Sequence, residues 1–121
     1  MLDKGRATIT GKAGEFKFNC PLDQRFIEFV GIDAAKLKKQ LAQGKGDAEI
    51  LEWIESNAKH NHSPVEIAAW SALAEQRVPM DMETRAYFSD IQSKVAPKRT
   101  DVGTWFELLD IDDYVTFGGK A

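Results

Sequence analysis

The segment Asn19-Cys20-Pro21-Leu22-Asp23-Gln24-Arg25-Phe26 places the chain's only cysteine where a helix should begin, with proline at the first helical position. A thiol at such an end feels unpaired backbone N–H groups and the positive end of the helix dipole, which both favour the thiolate. Asp23, in the first turn, competes for the same N–H groups, while Arg25 and Lys17 are the cations placed to support a thiolate. Cys20, Asp23 and Arg25 are therefore the catalytic candidates. A thiol enzyme also needs a base or a resolving cysteine, and the chain holds no second cysteine. Spacing does not say whether His60 or His62 approaches Cys20.

His60-Asn61-His62 offers two imidazoles to a metal, with Glu66 as a third ligand, but structural zinc takes four. His60 and His62 are the metal candidates; a polar loop ahead of a helix cap explains them equally well, so no metal and no cofactor is expected. Asp110, Asp112 and Asp113 imitate a calcium loop only in part. Val115 stands where the loop needs glycine, and Ala121 where it needs the bidentate glutamate. Gly44-Lys45-Gly46 lacks the spacing of a phosphate loop.

Sixteen basic and 19 acidic residues give a net charge of -3, and the cluster Lys36, Lys38, Lys39 and Lys45 has no interleaved aromatic residues for base stacking. Nucleic acid is not an expected partner. The chain lacks an apolar run of membrane-spanning length, and Met1-Leu2-Asp3-Lys4-Gly5-Arg6 lacks the apolar core of a signal peptide. No membrane association and a cytoplasmic address are expected. The 121 residues, 43% hydrophobic and 29% charged, suit one globular domain spanning 1–121 that folds without metals or disulfides.

Candidate elements follow from periodicity and caps. Ala7–Thr10 and Glu15–Phe18 alternate like strands around Gly11-Lys12-Ala13-Gly14, while Met1, Leu2 and Lys4 suit a short helix. After Pro21, Leu22, Phe26, Ile27, Phe29 and Val30 recur at helical spacing up to a stop at Gly31. Asp33 caps a helix bearing Leu37 and Leu41, and Asp47 caps one bearing Ile50, Leu51, Trp53 and Ile54. Ser63-Pro64-Val65-Glu66 is a capping box opening a helix to about Gln76, so rich in alanine and apolar residues that it is expected to be central. Asp81 or Met82 opens a helix with Thr84, Phe88, Ile91 and Val95 on one face, ending near Ala96-Pro97. Thr100 can cap a last helix through Leu109, followed by an ordered tail or short strand over Asp110–Phe117. Trp53, Trp70 and Trp105 read as core, with an oligomer interface as the minority alternative.

Four blocks resemble a family of small bacterial proteins grouped as a domain of unknown function: Met1–Ala7, Asn19–Asp33, Gly44–Asp47, and Ala96–Arg99 joined to Trp105–Asp110 and Asp112-Asp113-Tyr114. Phe16 and Phe18 stand where the family often has tyrosines, and relatives carry a further segment ahead of the Met1 block. The resemblance favours a helix at the start of the chain and supplies no catalytic residue.

The expected fold is all-α, a compact bundle of five to seven short helices with room for minor β structure at either end. The expected function is a binding or protein-interaction domain without catalytic activity, its partner a protein or small molecule, a second copy of the chain included. The alternative is a thiol-dependent enzyme or redox sensor centred on Cys20.

Overall fold

Caps and glycine stops cut the chain into seven helices with no strand, as a computed structural model of residues 1–121 shows. They are α1 (Leu2–Ile9), α2 (Pro21–Val30), α3 (Ala34–Ala42), α4 (Asp47–Asn57), α5 (Pro64–Glu75), α6 (Met82–Val95) and α7 (Trp105–Thr116). The side chains of Asp33, Ser63, Asp81 and Thr104 each accept the backbone N–H three residues on, satisfying donors that a helix start leaves unpaired. Gly31 ends α2 in the left-handed conformation at φ 70°, which glycine adopts without a Cβ clash. The chain forms two compact units, Met1–His62 and Ser63–Ala121.

In the first unit, Leu37 and Leu41 of α3 meet Ile50 and Ile54 of α4, with Leu2, Phe18, Phe26 and Trp53 packed around them. Helix α1 lies on α3, and the crossing is close because Gly5 is buried there. A Cβ at Gly5 would stand 2.5 Å from Leu41 Cδ1 and 3.2 Å from the Phe18 ring. Arg6 anchors the same helix to the start of α4, donating to the Asp47 carboxylate at 2.6 Å and to the Lys45 carbonyl. The hairpin alternative for the first residues therefore gives way to a helix. Thr8 and Thr10 turn their hydroxyls back on the Lys4 and Arg6 carbonyls, so their apparent strand alternation is helical back-bonding.

In the second unit, Phe88, Val102 and Leu108 form the core, flanked by Ile91, Trp105 and Ile111. Trp105 meets Phe88 edge-on at 5.3 Å between ring centres, a favoured aromatic geometry.

Three expectations are corrected. The last helix is capped by Thr104, not Thr100, and runs through the stretch read as a tail. The Glu107 carboxylate accepts the N–H groups of Gly103 and Thr104, and Ile111 continues the buried side of Leu108. Helix α4 begins after Gly46, whose N–H is taken by Glu49, and Asp47 serves Arg6 instead. Helix α5 is not central: none of its residues is buried. Apolar residues surround it on every side, so its sequence alone singles out no inward face.

Replacing Gly5 with valine should destabilise the protein by about 1–3 kcal/mol, the usual cost of overpacking a filled crossing. Urea unfolding checks this; unchanged stability would mean that α1 and α3 have room to part.

Candidate functional site

Pro21 at the first position fixes the start of α2 and leaves Cys20 as its N-cap, in extended backbone with no cap bond from the thiol. Just before it, Asn19 sits at φ 64°, the left-handed region uncommon for a residue with a side chain. Two bonds hold that turn: the Asn19 N–H donates to Asp23 Oδ2 at 3.0 Å, and Gln24 Nε2 donates to the Asn19 carbonyl at 3.0 Å. Asp23 is 6% exposed, and its other oxygen receives Lys4 Nζ at 3.0 Å. The same ammonium donates to Cys20 Sγ at 3.2 Å. Lys4, Cys20 and Asp23 thus form one cluster clasping α1 to the start of α2.

The cation that meets the thiol is Lys4, rather than Lys17 or Arg25. Burial pulls the Lys4 ammonium down, but hydrogen bonds and charge from Asp23 and Cys20 outweigh it, so Lys4 is held above its ordinary 10.5. Asp23 faces Lys4 and Asn19 instead of the helix N–H groups for which it was expected to compete. It supplies the counter-charge that keeps the ammonium in place.

Neither histidine approaches the thiol. His62 Nε2 pairs with the Phe29 carbonyl at 2.7 Å, and its ring stacks on Phe29 at 3.8 Å. His60 lies against Gly31. Both sit at the C-terminal end of α2, about 15 Å of helix away from Cys20. A carbonyl partner requires an N–H on His62 Nε2, which takes that nitrogen away from a metal. The rings of His60 and His62 are tilted and 6.3 Å apart, Glu66 is given to the Ser63 cap, and no three His, Cys, Asp or Glu side chains gather as a metal set.

Each unit carries an open surface depression. One, of about 310 Å³, runs along α4 past Lys45, Glu52 and Trp53; the other, of about 200 Å³, lies by Arg99, Asp101 and Asp110. Neither includes Cys20 or a histidine.

Residues 1–115 match the family described as Domain of unknown function (DUF5069). The chain belongs to this family. No curated protein matches the chain. The match runs from the Lys4 clasp almost to the end of α7, and so includes α5.

That helix is the feature sequence reasoning placed wrongly. Val65 is 77% exposed and Leu73 64%; beyond the helix, Met80 on the following loop is 80% exposed and Met82, the first residue of α6, 84%. Ala68, Ala69 and Ala72 lie open between Val65 and Leu73, so one side of α5 is an uncharged strip set between Glu66 and Glu75. Trp70, expected in a core, is half-buried, while Trp53 and Trp105 pack against cores as expected. The available signal was the count of small and apolar residues around the whole of α5, more than one inward face needs.

Lys4→Met should cost on the order of 1–3 kcal/mol by leaving the Asp23 carboxylate buried without its cation. Because Lys4 is raised in the folded state, its contribution is complete below 10.5 and fades as pH rises through the higher folded value. The stability gap between wild type and Lys4→Met should therefore close only in strong alkali; a gap that closes near neutral pH would contradict the clasp.

Proposed function

We propose that this chain is a protein-interaction domain without catalytic activity, which docks through the exposed side of α5 and the methionines at Met80 and Met82 beyond it. One observation carries this reading: the helix with most apolar residues is the one with none buried. Exposed apolar patches rimmed by polar residues mark interaction sites, and methionines such as Met80 and Met82 adapt readily to a partner's shape. The clasp supports the same reading, since Lys4 bonds both Cys20 and Asp23 and none of the three lines either of these depressions.

Leu73→Lys tests it directly. An interaction face predicts a change within about 0.5 kcal/mol in the stability of the isolated protein, as for ordinary surface positions. A loss of about 2–5 kcal/mol, the cost of disrupting a packed core, would overturn it.

The ammonium held against Cys20 Sγ favours a second reading, a thiol site that Lys4 keeps reactive. Under it, native Cys20 reacts with iodoacetamide at neutral pH, and Lys4→Met slows that reaction severalfold. Equal rates in the two proteins would exclude a role for Lys4 in thiol reactivity.

A further inference from the structure

We propose that the occupant of the α5 face is a second copy of this chain, the two α5 helices packing antiparallel about a two-fold axis. This rests on the interaction reading above and names its partner.

Charge selects the occupant. From Ile67 to Ala74 the helix carries no charged residue, so its partner must present an equally uncharged surface; a second α5 does so over the same length. Of the charges that bound this stretch, Glu66 and Arg77 are complementary under a two-fold operation, and Glu75 falls level with the uncharged Ala68 of the other copy. Glu66 stands in the first turn, its carboxylate holding the Ser63 cap. Arg77 stands one residue beyond the C-cap and forms no ion pair within the chain. The two are eleven positions apart, about three helical turns, so they share a flank.

A two-fold axis that reverses the helix keeps that flank on the same side and exchanges its ends. Arg77 of each copy then faces Glu66 of the other, giving two identical ion pairs around an apolar centre. A parallel arrangement would put the two Glu66 at one level on opposite flanks and lose both pairs. Within the antiparallel register Val65 falls level with Val78 of the other copy. The open Ala68, Ala69 and Ala72 let the helix axes approach closely. Val78, Met80 and Met82, all exposed, extend the apolar surface past the helix end, toward the roughly 800 Å² that each partner of a stable pair commonly covers.

Sedimentation velocity on the full chain from low micromolar to near-millimolar concentration tests the proposal. The wild type is expected to pass from monomer to dimer. Leu73→Lys and Val65→Glu should both remain monomeric with unchanged helix content, the second being a substitution that the positive end of the helix tolerates. Arg77→Glu should weaken association severalfold, because the change acts twice across the axis, and Arg77→Lys should restore most of it. A wild type that stays monomeric throughout, or a dimer that survives both Leu73→Lys and Val65→Glu, would overturn the proposal. Monomeric wild type with an undisturbed Leu73→Lys fold would point to a different partner and leave the interaction reading standing; a Leu73→Lys protein that unfolds would end both.

Discussion

Apolar surface must leave water against something, and the two ends of this chain meet that constraint differently. The first unit meets it internally: four short helices converge on Leu37, Leu41, Ile50 and Ile54, with a glycine at the tightest crossing. The second unit closes a smaller core around Phe88, Val102 and Leu108 and leaves α5 with no buried residue. Hydrophobic burial is the dominant favourable term in folding and in most association, and the proposed interface rests on this uncovered apolar helix. Everything proposed for function grows from that difference.

The polar cluster at the start of α2 ties α1 to α2. Asp23 is the one buried charged residue, and a buried carboxylate is costly unless paired and hydrogen-bonded. Lys4 and the Asn19 N–H supply both needs. The left-handed backbone at Asn19 is a strained choice for a side-chain-bearing residue, retained because two hydrogen bonds fix it. Cys20 sits at the edge of this arrangement as the softer of two acceptors for one ammonium. His62 has a comparable role at the other end of α2, its N–H meeting the Phe29 carbonyl.

Much of this architecture was legible in the sequence because caps act locally. Ser63 with Glu66, Asp33, Asp81, Pro21 and Gly31 mark helix ends through contacts within a few residues, and each does so in the structure. The failures have physical causes of longer reach. The cap at Thr104 is an exception: its box with Glu107 spans three residues, as local as that of Ser63 with Glu66. Lys4 was missed as the partner of Cys20 because 16 positions of chain separate them and only the approach of α1 to α2 joins them. Helix α5 misled for a different reason: apolar composition states that a surface must be covered, and says nothing of whether the cover lies in the same molecule.

Amide hydrogen exchange of the α5 peptide, followed by mass spectrometry across a wide range of protein concentration, tests this account most directly. Protection of residues 64–75 should be low in dilute solution and rise with concentration, while α3 and α4 stay protected throughout. Strong protection of α5 that is already complete at the lowest concentration would contradict an interaction face and return the helix to the chain's own core.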